Sequence, residues 1–259
     1  MEELLDAWRE DAASPPPTLS FQASPLHRSH PGWPGGECRA DASLAAVRSE
    51  CWEALQQQKL AAEATGCFVF SHRRLDGLTA LSLAQYLRDE CRARFVDLSS
   101  LGDWDKTSLA VAGALRHGLR QVRTLAVSGN LLGAGAGADD VLAAWCEAIR
   151  EHPGLQHVAL CDTGLDDRHA GRLADMLRAH SVLFAVDLSH NRISDAGATA
   201  IQEALTENRV ILEVCLEGND TTEVAHAGLA AVLRRNADAV GGCDGATRRL
   251  ATLRRARAE

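Results

Sequence analysis

Apolar residues recur at a nearly fixed spacing along most of this chain. Six short segments alternate apolar side chains with others, and they begin at Phe68, Val96, Leu125, Val158, Val186 and Val214. The intervals between these first residues are 28, 29, 33, 28 and 28 positions. Apolar residues three or four apart follow the segments, as at Leu173 and Leu177, and this period is typical of an amphipathic helix. The pattern therefore predicts six repeats, each built from one strand and one helix.

The clearest repeat runs from Leu183 to Leu205 and reads LFAVDLSHNRISDAGATAIQEAL. A segment of the form LxxLxLxxN that precedes such a helix is typical of a leucine-rich repeat. Neither the strand nor the helix can bury its apolar face alone, so the repeats must stack on one another. We therefore predict an α/β fold, a leucine-rich-repeat solenoid of about six strand–helix coils with a parallel concave sheet and convex helices.

The repeats at residues 65–236 resemble the ribonuclease-inhibitor-like subfamily of leucine-rich repeat proteins, through their 28-residue period and the helix SDAGATAIQEAL. In that subfamily an asparagine after each strand hydrogen-bonds the turns of adjacent coils. Three repeats here keep it, as Asn130, Asn191 and Asn219. The other three hold Arg73, Leu101 and Thr163. The resemblance implies a scaffold that binds other proteins, and it leads us to expect less regular early coils.

The remaining segments differ in composition from the repeats. Six of the seven prolines lie before residue 35, so residues 1–41 are predicted to form an extended, Pro-rich arm. Residues 42–64 are predicted to form an amphipathic helix that caps the first coil. Its apolar positions are Leu44, Val47, Cys51, Leu55 and Leu60. After the solenoid at 65–236, residues 237–259 are predicted to form a C-terminal cap and an arginine-rich tail.

Charge and cysteine content narrow the function classes. The net charge of −8 argues against a general nucleic-acid binder, which carries a basic excess. No apolar run approaches the ~18 to 20 residues that a membrane span needs. The eight cysteines include no CxxC pair, which favours reduced thiols over disulfides. Because the first residues are rich in acids and match no leader sequence, we expect a cytoplasmic location.

One segment imitates a cofactor site. Gly133, Gly135 and Ala138 satisfy the GxGxxA pattern of dinucleotide-binding turns, and Glu151 lies near the expected acidic position. The glycines, however, coincide with the five extra residues of the 33-residue repeat, and two aspartates at the helix start would repel a pyrophosphate. We interpret the segment as a loop insertion that could form a contact point. No catalytic residue, metal, cofactor or small-molecule ligand is predicted.

The concave face of the sheet is the first candidate binding surface. Side chains alternate along a strand, so the residues between core positions should point outward. The predicted protein-binding residues are Phe95, Asp97, His157, Asp162, Asp187, His190, Glu213 and Glu217. Four of the five acidic members, Asp162, Asp187, Glu213 and Glu217, gather in the last three coils, which suits a basic segment of a partner. A solvated polar face without a partner is the alternative, and we expect this face to be open to water.

The two ends of the chain are the second candidate binding region. The predicted anchors are Trp8, Phe21 and Trp33 in the arm, and Arg248, Arg249, Arg254 and Arg255 in the tail. Large aromatic side chains dominate small contact patches, and an arginine-rich helix suits an acidic partner. For the tail, a solvated capping helix is the alternative.

These features together predict a non-catalytic interaction scaffold. We expect it to be a structural subunit of a larger cytoplasmic or cytoskeletal assembly, with several protein subunits of one complex as partners. The family resemblance adds the cilium to the candidate locations. The alternative is a regulator of an enzyme, such as a small GTPase or a nuclease, bound through the concave face. No specific nucleic acid or membrane span is expected.

Overall fold

A computed structural model describes residues 42–75, 77–102, 104–133 and 137–240 of the chain. The predicted arm at 1–41 and most of the predicted tail lie outside this part. The seven described helices are α1 Ala42–Thr65, α2 Gly77–Asp89, α3 Trp104–His117, α4 Ala138–Glu151, α5 Asp167–Ala179, α6 Asp195–Glu207 and α7 Glu223–Val240. The six described strands are β1 Cys67–Val69, β2 Phe95–Asp97, β3 Thr124–Ala126, β4 His157–Ala159, β5 Ala185–Asp187 and β6 Glu213–Cys215.

The strands form one parallel sheet in the order β1 to β6. Their central residues pair in register as Phe68, Val96, Leu125, Val158, Val186 and Val214, the same six residues that begin the segments of the sequence pattern. Each strand is followed by a helix that packs against the helices of the neighbouring coils. The predicted α/β leucine-rich-repeat-like solenoid is therefore confirmed. The longer third interval does not disturb the register, because its extra residues fall mainly in the loop between β3 and α4.

The core lies between the sheet and the helices. The central strand residues are buried together with helical leucines and isoleucines such as Leu83, Leu173 and Ile201. Between the second and third coils, the Trp104 ring at the start of α3 stacks on the Trp145 ring of α4, with their centroids 5.8 Å apart. Because each helix covers apolar surface of the adjacent coil, removing one coil would expose the core of the next.

Asparagine side chains join the turns that follow the strands. The Asn191 Oδ1 accepts from the backbone N–H groups of Thr163 and Leu165 in the previous coil, at 3.0 and 3.1 Å. Its Nδ2 donates to the carbonyl oxygens of Leu160 and Leu188, both at 2.9 Å. Asn130 makes the same kind of bridge to its preceding coil, and so does Asn219. The bonds satisfy backbone groups that would otherwise be buried without partners.

The first helix corrects one expectation about its apolar stripe. Cys51 and Leu55 are buried against the first coil as expected, but Leu60 is 68% exposed and Ala62 is buried instead. The side of α1 that packs against the first coil therefore includes Ala62 rather than Leu60 at the end nearest β1. The Lys59 ammonium of α1 lies 4.8 Å from the centroid of the Tyr86 ring on α2.

The last described helix ends the series of regular turns. Helix α7 has 18 residues where α5 and α6 have 13, so it continues past the position at which the earlier coils turn. The Asn236 Nδ2 still donates to the carbonyl oxygens of Asn208 and Ile211. Its Oδ1, however, accepts from the Arg235 guanidinium rather than from the backbone of a following coil.

Replacing Asn191 by alanine should lower the free energy of unfolding by about 2 to 4 kcal/mol, because several buried backbone groups lose their partners at once. Asn219→Ala is the matched control. Its side chain is only half-buried and bridges from the final coil to the one before it, so we expect a smaller loss. Urea unfolding followed by circular dichroism measures both. An Asn191→Ala midpoint equal to that of the wild type would contradict the structural role of the bridge.

Candidate functional site

The strand register separates the predicted concave residues into two groups. Phe95 and Asp97 lie on β2, whereas the other predicted residues lie in the last three coils. Asp97 aligns with Ala126, Ala159 and Asp187 in successive strands. Three steps of ~4.8 Å place the two aspartates about 14 Å apart. The predicted residues therefore do not form one continuous site.

Asp97 shows that part of the concave face is closed to water. The side chain is 5% exposed, which corrects the expectation of an open face, and His157 is also buried. The Asp97 Oδ1 accepts from the backbone N–H of Ser99 at 2.9 Å. Burial raises the pKa of Asp97 above its ordinary value, and the hydrogen bonds from Ser99 offset part of this rise. Asp97 is therefore held by local contacts rather than presented to a partner.

The exposed members of the predicted set lie in the last three coils. Asp162, His190 and Glu217 are exposed, while Asp187 and Glu213 are half-buried. We call the carboxylates of this group the acidic rim, which consists of Asp162, Asp187, Glu213 and Glu217. Adjacent backbone bonds bring its residues together, since the Asp162 N–H donates to the Ser189 carbonyl and the His190 N–H donates to that of Glu217. The binding role of these residues stays a prediction.

The position of Asp162 and His190 follows from the turn rather than from strand alternation. The third residue after every strand has a positive φ angle, at His72, Ser100, Gly129, Asp162, His190 and Gly218. Left-handed backbone is strained for most side chains and is tolerated best by glycine, with asparagine and aspartate next. Asp162 and His190 therefore lie side by side at the carboxyl end of the strands, in the same turn position of adjacent coils.

Burial also affects a thiol beside the acidic rim. Cys161 and Cys215 are both free, as are the other cysteines that the structure describes. Burial raises the pKa of the Cys161 thiol to about 11, the Ser189 hydrogen bond opposes this rise, and the Asp187 and Asp162 carboxylates add to it. A nucleophile or metal ligand needs the thiolate, so the raised pKa disfavours both roles for this thiol at neutral pH.

A second set of polar side chains that bond across coils lies where the earlier helices end, and the sequence analysis missed it. We call this set the helix-end ladder. Its members are His152, His180, Asn208 and Asn236, each 28 residues after the last. The His180 Nε2 lies 2.9 Å from the Ile149 carbonyl oxygen, and its Nδ1 accepts from the Val182 and Leu183 N–H groups. These partners assign the proton to Nε2. The regular spacing of polar residues after each helix is the signal that could have revealed this ladder.

A third series of contacts joins the starts of the helices. The Asp167 carboxylate accepts from the Ser194 N–H at 2.7 Å and from its hydroxyl at 2.6 Å, and it also accepts from the Gly197 N–H. Asp195 bonds Thr222 in the same way, one coil further on. The Ser194 hydroxyl bond, with help from the two backbone bonds, lowers the pKa of Asp167 despite some desolvation. These carboxylates therefore fasten one coil to the next.

The glycine-rich segment has a structural explanation. The Gly133 N–H donates to the Thr163 carbonyl at 3.0 Å, and a Cβ at Gly133 would overlap the Gly164 carbonyl oxygen. Close approach of two coils therefore requires this glycine. Glu151, which occupies the acidic position of the cofactor pattern, forms an ion pair with Arg116 at 2.7 Å. Gly135 lies outside the described residues, so the complete motif is not seen.

Two kinds of site are absent from the described residues. Over 42–75, 77–102, 104–133 and 137–240, no three histidine, cysteine or acidic side chains are grouped so that they could hold a metal ion. Within the same ranges, no helix combines the length and the apolar character that crossing a bilayer requires. The predicted terminal anchors, from Trp8 to Trp33 and from Arg248 to Arg255, lie outside these ranges.

Comparison with known proteins finds similarity to two leiomodins and a tropomodulin. No family model matches the chain. Leiomodin-2 of Mus musculus is 33% identical over 73 residues, and the chain spans only 13% of the length of that relative and aligns over 28% of its own. A solved structure titled leiomodin-1 actin-binding site 2 is 19% identical, covers 58% of this chain and 96% of its own, and has a TM-score of 0.40. The tropomodulin C-terminal domain of Caenorhabditis elegans is 15% identical, covers 54% and 96%, and has a TM-score of 0.35.

The two histidines of the helix-end ladder should make stability fall in mild acid. Burial lowers the folded-state pKa of His152 and of His180 below the ordinary value of 6.5. Their stabilising contribution is therefore complete above pH 6.5 and is lost as the pH falls from there through the folded-state pKa values. The double variant His152→Asn and His180→Asn, which copies Asn208, should flatten this dependence. Urea unfolding between pH 7.5 and pH 5 measures it.

Exposed His117 supplies the control for this experiment. His117→Asn should retain the full pH dependence of the wild type, because this side chain joins no helix-end bridge. An unchanged slope in the double variant, or an equal flattening in His117→Asn, would show that the ladder histidines are not responsible.

Replacing Asp97 by asparagine should increase stability at neutral pH. Because its folded-state pKa is raised, the carboxyl group contributes stability below its unfolded pKa and loses that contribution as the pH rises. The amide oxygen of asparagine can still accept from the Ser99 N–H. We therefore expect a higher free energy of unfolding at pH 7 and little difference below pH 4. Half-buried Asp187, which bonds Ser189 in the same way, is the control and should respond less to Asp187→Asn.

Proposed function

We propose that the chain is a non-catalytic scaffold of the cytoskeleton that binds other proteins, with actin as its first candidate partner. The observation that carries this proposal is the use of the buried polar side chains. Asparagine, histidine and aspartate side chains at three levels of the later coils bond the backbone of the neighbouring coil. Because these side chains hold neighbouring coils together, the solenoid is rigid and its outer surfaces are available to bind a protein partner.

The acidic rim is the surface that we propose for a protein partner. Its exposed members, Asp162 and Glu217, follow β4 and β6 at the carboxyl end of the strands, with His190 in the coil between them. The turns that carry these carboxylates are joined to one another by the asparagine bridges, so the carboxylates have fixed spacing. A basic segment of a partner would gain electrostatic attraction there without ordering the scaffold.

The choice of actin rests on the names of similar proteins. One of them is titled an actin-binding site, and the sequence similarity to leiomodin-2 covers 73 residues. A cytoplasmic cytoskeletal location follows from the same proposal. The division at 1–41, 42–64, 65–236 and 237–259 is also proposed, with the arm and the tail as further contacts for subunits of one complex.

Two narrower proposals rest on the sequence resemblance alone. The 28-residue intervals support assignment to the ribonuclease-inhibitor-like subfamily. Placement in a cilium is supported only by the uses of that family. Neither is needed for the scaffold proposal, since any repeat protein of this rigidity could serve as a subunit.

Actin binding is tested by sedimentation of the full chain with filaments and by titration of labelled monomers. The double variant Asp162→Asn and Glu217→Gln should weaken binding several-fold, because each exposed ion pair contributes about 0.2 to 1 kcal/mol. Asparagine keeps the left-handed backbone at residue 162 accessible. The charge-matched control is Glu203→Gln with Asp238→Asn, two exposed residues on helices α6 and α7.

The outcomes separate the partner from the surface. If neither filaments nor monomers bind the wild-type chain, actin is the wrong partner. If actin binds and the rim variant retains the wild-type affinity, the acidic rim is the wrong surface. The control variant should bind as the wild type does.

A further inference from the structure

Four arginines occupy two adjacent turns in the first half of the solenoid. The turn between α2 and β2 carries Arg92 and Arg94, and the turn between α3 and β3 carries Arg120 and Arg123. The Arg123 N–H donates to the Arg94 carbonyl at 2.7 Å, so these two residues are direct neighbours. We call residues 92–94 and 120–123 the arginine turns.

The charge of the arginine turns is not a general property of the fold. The same backbone ladder continues from Arg123 to Gln156 and from Gln156 to Phe184. The next two turns therefore carry glutamine and phenylalanine where the first two carry arginine. Nothing in the ladder itself requires a guanidinium group, since the bonds that join the turns are made by the backbone.

The arginine turns lack a matching set of carboxylates within the described part of the chain. Arg92, Arg94 and Arg120 are exposed, and their guanidinium groups form no ion pair with a described residue. Arg123 donates to the Gly154 carbonyl at 2.9 Å. Of the acids nearby, Asp89 is held by Arg88. The backbones of adjacent strands lie ~4.8 Å apart, so these turns bring like charges of neighbouring coils close together, and facing like charges on adjacent strands are destabilising.

The chain itself contains a segment of opposite charge. Residues 1–13, MEELLDAWREDAA, include five acidic residues and one arginine, for a net charge of −4. The 28 residues from 14 to 41 can span up to ~90 Å when extended, which exceeds the ~36 Å length of helix α1. The segment can therefore reach the arginine turns. Because it is tethered to them, its effective concentration is high even if the intrinsic attraction is weak.

We infer that the acidic segment 1–13 binds in cis to the arginine turns. The acidic side chains pair with the three exposed guanidinium groups and relieve their mutual repulsion. This contact is independent of the proposed actin binding, which uses the opposite end of the solenoid. It gives the scaffold an internal ligand that an acidic partner would have to displace.

Limited proteolysis of the full chain tests this inference. Thermolysin cuts before large apolar residues, so cleavage before Leu4 and Leu5 reports access to the segment, and mass spectrometry measures its rate. The triple variant Arg92→Glu, Arg94→Glu and Arg120→Glu should raise this rate about tenfold. Raising the salt concentration to ~1 M should accelerate cleavage of the wild type, because the Debye length falls to ~3 Å.

Two variants control for net charge and restore the contact. Arg172→Glu, Arg192→Glu and Arg209→Glu change the same charge at exposed positions in later coils and should leave the rate unchanged. Adding Glu2→Arg, Glu3→Arg and Asp6→Arg to the first triple variant reverses both charges and should restore protection. Thermal unfolding followed by circular dichroism confirms that each variant remains folded.

Several results would overturn the inference. Cleavage of the wild-type segment as fast as that of a free peptide of residues 1–13 is one, and a charge-swapped variant that stays unprotected is another. Protection that increases with protein concentration would instead assign the contact to two copies of the chain. Equal acceleration of cleavage in both arginine-to-glutamate triple variants would show that the effect depends on net charge alone, not on the arginine turns.

Discussion

The structure depends on pairing the backbone groups of each turn with the next coil. A turn between a strand and a helix leaves N–H and carbonyl groups that neither element satisfies, and in a stack of coils these groups are buried. Asn191 bridges them on the strand side, and His180 bridges them at the end of the helix. The 28-residue period is the spacing at which such side chains meet the equivalent backbone groups one coil away.

This constraint also commits potentially reactive side chains to structural hydrogen bonds. His180 has both ring nitrogens committed to backbone groups, and the Asp167 carboxylate accepts three hydrogen bonds from the following coil. The Cys161 thiol has a raised pKa because it is partly buried beside carboxylates. Such groups stabilise the stack of coils, and the proposed binding role is left to the charged groups on the surface.

The surface charge differs between the two halves of the solenoid. The first coils present the arginine turns at one edge, and the last coils present the acidic rim at the other. Neither surface is required by the ladders, because Gln156 and Phe184 occupy the same turn position in other coils. Regular backbone bonding therefore leaves each coil free to vary its exposed residues, and two separate contacts can coexist on one rigid body.

The sequence alone determined the strands, their order and their register, because the period places Phe68, Val96 and the four later core residues at equivalent positions. It also indicated the asparagine bridges. Only the tertiary structure decided which side chains of the concave face are exposed, and it buried Asp97 while leaving Leu60 in solvent. Burial depends on the neighbouring coil rather than on alternation within one strand. For the same reason the bridging role of His152 and His180 became visible only when the coils were stacked.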